Sequence, residues 1–198
     1  FGRFSPQARA NVKTVTMDLN FYYQDIVRTC FPNAQIVIDR FYMIQMLTRS
    51  FNSPRIKVMK AFDKRSRQYQ LLKSPWKLYL KRYDEFEKIH PHYKDCLTQA
   101  QVVMEDISSN TALANSYNLM QSFIQAVEHG DTQELKSLIT SKDLVDVQIH
   151  KTLLAFKHNL KAVLNESALP YSKGCKVSIA KSNNLSEQPS AILISLIS

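Results

Sequence analysis

The chain has few of the residues from which compact reactive motifs are built. Only three glycines and three cysteines occur in 198 residues. Gly2, Gly130 and Gly174 are too scattered to form a glycine-rich phosphate loop. The cysteines are odd in number and far apart in the chain, which excludes a disulfide framework and a CxxC metal knuckle.

Long apolar runs are also missing. No run approaches the roughly 20 apolar residues that cross a bilayer, and the N-terminus has no apolar signal-peptide segment. The chain starts at Phe1 rather than at a methionine, so we expect a cytoplasmic protein without its natural beginning. With 44% apolar residues the chain has enough hydrophobic side chains for a core.

Acidic residues are scarce in one segment, which concentrates the basic charge. The whole chain carries a net charge of +9, and residues 54–82 alone carry the same charge, because ten Lys or Arg residues face a single acid, Asp63. Aromatic residues are interleaved with these cations, a composition that attracts a phosphate backbone. A solvated helix face is the plain alternative. The cations are Arg55, Lys57, Lys60, Lys64, Arg65, Arg67, Lys73, Lys77, Lys81 and Arg82.

The first forty residues have the pattern of a strand, a helix and a second strand. Residues 12–17 alternate and are β-branched, residues 21–30 have helical spacing, and residues 35–38 form a short apolar run. Asp18 and Asp39 follow the two predicted strands directly. In open α/β sheets, sites gather beyond the carboxyl ends of strands.

From Arg40 onward the pattern is helical. Pro54 and Pro75 are expected to interrupt it, because proline lacks the N–H group and clashes inside helices. One predicted helix ends at Gly130, and the next begins at Asp131 with a capping arrangement. Apolar spacing predicts the core-facing stripes of two long helices, one formed by Leu113, Tyr117, Met120, Ile124 and Val127, the other by Leu153, Phe156, Leu160 and Val163.

Two segments carry a resemblance to a known family. These are Val12-Lys-Thr-Val-Thr-Met-Asp18-Leu and Phe31-Pro-Asn-Ala-Gln-Ile-Val-Ile-Asp39-Arg-Phe-Tyr42, with Tyr22 or Tyr23 between them. In residue identity and spacing, these segments resemble the insertion-sequence transposases of the L-three family, which have a DDE (Asp-Asp-Glu) catalytic domain. The similarity extends to about residue 175.

The resemblance implies a ribonuclease-H-like fold interrupted by an all-helical insertion, with three carboxylates that hold two Mg²⁺ ions. Such ions activate the attacking oxygen and stabilise the leaving oxygen of a phosphodiester. We therefore expect an α/β fragment of two parallel strands with a crossover helix, followed by a large helical part. The expected division is 1–48 for the partial core, 49–168 for the insertion and 169–198 for a degenerate, disordered tail.

Residue by residue, the resemblance places Asp18 at the second catalytic and metal-binding position. Asp39, Arg40 and Tyr42 border the site, where the family has His in place of Tyr42. A structural role for Asp39 remains open, and tyrosine cannot carry a proton near neutral pH as histidine can. The family's first catalytic Asp belongs to a strand preceding Phe1.

The third carboxylate of the family should follow a Tyr-Ser-Asn-Gly element. This chain has Tyr171-Ser172-Lys173-Gly174-Cys175-Lys176, with no acid where Glu belongs. Residues 177–192 can be back-translated so that another reading frame gives a basic helix of the family type. We therefore interpret the tail as the product of a small deletion and frameshift after Cys175.

Taken together, the sequence predicts a truncated DDE transposase that is inactive by itself, with DNA and an intact transposase copy as its partners. A second hypothesis is a non-catalytic basic protein that binds DNA or interferes with an intact transposase. The cations expected to contact DNA are Lys57, Lys60, Lys64, Arg65, Arg67, Lys73, Lys77, Lys81 and Arg82. A third possibility is that the basic helices pack on other parts of the enzyme.

Overall fold

Helices dominate the fold, as the sequence predicted. The computed structural model describes residues 4–86, 97–168 and 192–195. Among these residues, no helix is both long enough and apolar enough to span a membrane. The helices are α1 (Pro6–Ala10), α2 (Phe21–Cys30), α3 (Arg40–Ala61), α4 (Arg67–Lys73), α5 (Gln99–Ile107), α6 (Thr111–His129), α7 (Thr132–Thr140), α8 (Val147–His158) and α9 (Leu160–Ala168), with 3₁₀ turns at Trp76–Leu80 and Tyr83–Glu85.

A small sheet lies at the start of the chain. Strand β1 (Thr14–Met17) pairs in parallel with β2 (Gln35–Ile38), and α2 connects them. The predicted strand, helix and strand are thus confirmed, although β1 begins two residues later than its sequence pattern suggested. Val15, Met17 and Ile38 are almost completely buried, which explains the apolar character of both strands.

A third strand was not predicted. Strand β3 (Ile192–Ser195) pairs antiparallel with β1, so the strand order is β2-β1-β3 and β1 is central. The predicted disordered tail of residues 169–198 did not include this pairing, and disorder of the tail stays a prediction. Apolar, uncharged segments readily pair with an available strand edge, and the free edge of β1 provides one. The Tyr171–Lys176 motif and the rest of the tail lie outside the described residues.

Helix α3 is continuous for 22 residues and contains Pro54 in its interior. The expected break at this proline is therefore wrong, and the expected boundary between residues 48 and 49 falls inside the same helix. A proline in a helix removes one backbone hydrogen bond and clashes with the preceding turn. Packing offsets this cost here, because Phe51 and Pro54 are buried on the face that α3 turns toward the core.

The helix ends follow the capping residues in the sequence. Helix α6 ends at Gly130, whose φ of 71° lies in the left-handed region that glycine adopts without penalty. Asp131 then caps α7 by accepting from the backbone N–H groups of Gln133 and Glu134. The predicted last helix is in fact two, because the chain turns at Asn159 between α8 and α9.

One hydrophobic core joins the strands to the helices. All five residues of the predicted α6 stripe are buried, and in the other stripe Leu160 is only half-buried. Within this core the rings of Phe123 and Phe156 stack with centroids 5.2 Å apart. The ring of Phe51 approaches that of Tyr117 at 5.8 Å, which ties α3 to α6.

A buried acid lies between α5 and the 3₁₀ turn at Trp76–Leu80. Asp106 is 1% exposed, and its carboxyl group is hydrogen-bonded to the hydroxyl of Tyr79. Burial raises the pKa of Asp106 from 3.8 to about 6, against the lowering effects of the Tyr79 hydrogen bond and the Arg67 charge, while Glu105 adds to the rise. The native state therefore holds this proton at pH values where an unfolded chain releases it.

We predict that this acid weakens the fold as the pH rises. Its contribution to stability is complete below pH 4 and is lost as the pH passes 6, a change of about 3 kcal/mol at most. Asp106→Asn removes that dependence. Urea unfolding of both proteins between pH 4 and pH 7 should therefore show the stability of the natural protein falling relative to that of the variant as the pH rises, whereas parallel curves would contradict the assignment.

Candidate functional site

Two acidic residues occupy neighbouring positions just beyond the carboxyl ends of the parallel strands. Met17 is the register partner of Ile38, so Asp18 and Asp39 are the next residues on adjacent strands. The backbone N–H of Asp39 donates to the carbonyl oxygen of Met17 at 2.9 Å and continues the pairing. The sequence placed both acids at this edge, and the structure brings them together there.

Each carboxylate has one oxygen engaged in a local hydrogen bond. Oδ1 of Asp18 accepts from the backbone N–H of Asn20 at 3.1 Å. Oδ1 of Asp39 accepts from the N–H of Phe41 at 2.7 Å and caps α3. Asp39 therefore has the structural role that the sequence left open. Asp18 is half-buried and, unlike Asp39, does not cap a helix.

Tyr42 lies in the first turn of α3, close enough to Asp18 to feel its charge. Burial raises the pKa of the Tyr42 hydroxyl, the negative charge of Asp18 raises it further, and Arg49 opposes the rise. The group is thus a neutral phenol near pH 7. It can donate a hydrogen bond at the site, but it cannot relay a proton as a histidine would.

Arg40 contacts a residue that sequence reasoning missed. Its Nε lies 2.7 Å from Oε1 of Glu166 in α9, and the two side chains are only 13% and 4% exposed. Beside this pair, the Asn165 amide donates to the backbone oxygen of Ile36 in β2 at 2.8 Å. The only sequence signal for Glu166 was an acid within an apolar helical stretch. Arg40 therefore fastens α9 to the start of α3, and Asn165 fastens it to β2.

The carboxylates do not fit a two-ion magnesium centre. A single Mg²⁺ is held by one or two carboxylates together with water and phosphate oxygens, which Asp18 and Asp39 match. The resemblance implies three carboxylates for a pair of ions, one more than this edge supplies. In residues 4–86, 97–168 and 192–195, no cluster of three or more acidic, His or Cys side chains is placed to hold a metal.

The basic segment is divided between surface and interior. Lys57, Lys60, Lys64 and Arg65 follow one another from the last turns of α3 into the loop before α4, and all are exposed. Lys57 lies 4.0 Å from Asp146. The other three make no hydrogen bond or ion pair through their side chains with any residue that the structure describes. These cations are the ones available to a phosphate.

Several other cations of the segment contact protein groups. Arg67 forms two hydrogen bonds to Glu105 at 3.0 and 3.1 Å. Arg82 pairs with Asp84 and Glu128. Lys81 donates to Gln99, while Lys73 and Lys77 lie over the rings of Tyr69 and Trp76.

Arg55 is the clearest exception to a basic surface. It is 6% exposed, and its guanidinium donates to the Leu72 carbonyl and to Asn52. Burial lowers its pKa, yet the group remains a cation. Arg55 therefore joins α3 to α4 and does not belong to a nucleic-acid surface.

We predict strong coupling between Arg40 and Glu166. Loss of one partner from a buried pair leaves an unmatched charge, which costs about 3 to 5 kcal/mol. Arg40→Met and Glu166→Met should each destabilise the protein, and the double variant should recover part of the loss. A double-mutant cycle in urea should give a coupling of about 1 to 3 kcal/mol.

The exposed pair Arg28–Asp25 serves as the matched control. Its atoms are 3.5 Å apart and its side chains are 67% and 63% exposed, so its coupling should stay below about 1 kcal/mol. Equal coupling energies for the two pairs would refute the role given to the buried one.

The comparison with known families agrees with this geometry. A family model for DDE transposases of the IS L3 type, described as "Transposase", matches residues 1–176. No curated protein and no solved structure matches the chain. DDE transposases generally use a divalent metal. Since the match includes both strands, Asp18 and all the helices, the chain belongs to the IS L3 family of DDE transposases.

Proposed function

We propose that the β1–α2–β2 unit is part of a ribonuclease-H-like core for DNA transposition, in which Asp18 contributes a metal ligand. The observation that carries this proposal is the adjacent placement of Asp18 and Asp39 at the ends of parallel strands. In the intact family this chemistry is Mg²⁺-dependent cleavage and transfer of a DNA strand. Asp39, Arg40 and Tyr42 border the site, and Asp39 and Arg40 hold the elements that surround it.

We propose further that this chain alone does not catalyse the reaction. Asp18 and Asp39 are too few for two ions, and the motif that should carry the third carboxylate reads Lys173-Gly174-Cys175-Lys176. The frameshift hypothesis explains this departure, and the gene sequence on both sides of Cys175 tests it. The absence of an alternative frame encoding the basic helix would remove that explanation.

We predict that the purified chain shows no Mg²⁺-dependent cleavage or joining of DNA. Supercoiled plasmid and labelled duplex incubated with excess Mg²⁺ should remain intact. Asp18→Asn is the matched control. Strand cleavage that disappears in this variant would contradict the proposal of an inactive chain.

A non-catalytic role in DNA binding is the second candidate. It is favoured by four exposed cations that lie close together in the chain, Lys57, Lys60, Lys64 and Arg65. Such a chain would hold DNA through phosphate contacts, or would assemble with an intact transposase and interfere with it. Lys73, Lys77, Lys81, Arg67 and Arg82 stay within this proposal as flanking cations, although protein groups already contact them.

We predict salt-dependent DNA binding through the unpaired cations. Lys60→Gln, Lys64→Gln and Arg65→Gln together should reduce the slope of log affinity against log salt by up to about 2.7, since each phosphate contact contributes about 0.9. Arg67 is kept, because Glu105 holds its guanidinium. Fluorescence anisotropy with a labelled duplex measures the slope.

The control removes the same charge at positions outside the basic segment. Lys136, Lys142 and Lys151 are exposed and lie outside the basic segment. Their change to Gln should leave the slope nearly constant. An equal effect of both triple variants would indicate that only net charge matters, and an unchanged slope in the first would leave the basic helices as packing surfaces for other protein parts.

A further inference from the structure

A cleft at the outer edge of the small sheet has the chemistry to bind phosphate. It lies between α2, the outer edge of β2 and the junction of α8 with α9, and its volume is about 630 Å³. Pockets of a few hundred Å³ hold small ligands. Its lining includes Arg28, His158 and Lys161, and no carboxylate among the described residues lines it.

The three basic side chains converge from separate elements. Arg28 belongs to the last turn of α2, His158 ends α8, and Lys161 lies in the first turn of α9. All three are exposed at the mouth of the cleft. Asp25 pairs with Arg28 at 3.5 Å from outside the lining and offsets part of its charge. The start of α9 adds the positive end of its helix dipole.

Side-chain amides supply the rest of the polar lining. Gln24, Asn33, Gln35, Asn159 and Asn165 all face the cleft. Gln24 is 6% exposed, and its amide donates to Asn159 at 2.6 Å. Asn165 is held by the backbone oxygen of Ile36. This network keeps the inner wall rigid, and amide groups there can hydrogen-bond to phosphate and to base edges.

We propose that this cleft binds the phosphodiester backbone of a single nucleic-acid strand. The site is separate from the basic segment of residues 54–82, and it extends the proposed role of the chain in DNA binding. A peptide strand added to the edge of β2 is the competing occupant. The Asn165 amide already donates to the Ile36 carbonyl oxygen on that edge, and α9 packs along the strand. An added peptide strand would lose that backbone acceptor, so the cleft favours the nucleic acid.

The test is a titration with a thymidine tetranucleotide, followed by ¹H–¹⁵N correlation spectra of the full chain. We expect saturable shifts of the amide signals of Asn33, Lys161 and Ala162. Arg28→Gln combined with Lys161→Gln should weaken binding about 3- to 5-fold for each cation removed. Lys136→Gln combined with Lys142→Gln, which removes equal charge elsewhere, should leave the affinity unchanged.

Two further arms make the assignment specific. Asp25→Asn should tighten binding, because it frees the Arg28 guanidinium. Thymidine monophosphate should bind more weakly than the tetranucleotide, because it offers a single phosphate. Equal affinities of these two ligands, equal effects of the cleft and control variants, or shifts confined to residues outside the cleft would each overturn the proposal.

This readout separates the cleft from the basic segment. In one outcome the tetranucleotide shifts the cleft signals while duplex binding does not depend on Lys60, Lys64 and Arg65. That result would support the cleft as a nucleic-acid site and refute the DNA-binding role of the basic segment. If duplex binding depends on those three cations while the cleft signals stay constant, the opposite holds.

Discussion

The buried contact between α9 and the sheet is the constraint on which the rest of the structure depends. Strands of four residues are too short to be stable by themselves, so the sheet needs helices packed on it. The Glu166–Arg40 pair and the Asn165–Ile36 hydrogen bond hold α9 against β2 and the start of α3. Through them the helical part of the chain fixes the strand ends, and with them the carboxylates.

Local sequence signals predicted most helices and strands, but not the contacts between distant parts of the chain. The alternation before Asp18, the glycine at 130 and the aspartate at 131 correctly placed a strand and two helix ends. Pro54 misled, because burial against the core outweighs the lost hydrogen bond. β3 and Glu166 depend on partners more than 100 residues away, and no local pattern encodes such contacts.

The candidate site shows the same difference between local and distant information. The position of Asp18 at a strand end followed from its neighbours, and the resemblance supplied its role. The division of the cations could not be read from composition, because Arg55 and Arg67 look like unengaged cations until Leu72 and Glu105 are brought beside them. Charge counted along a sequence therefore overstates the charge that a partner meets.

Helix α3 begins at the Asp39 cap and ends beside the exposed cations of the basic segment. Its 22 residues span about 33 Å at the usual rise per residue. Because α3 is continuous, the Asp39 cap and the exposed cations lie at opposite ends of a single element. In the proposed DNA-binding role, the length of α3 therefore limits how far a phosphate held at the cationic end can lie from Asp18.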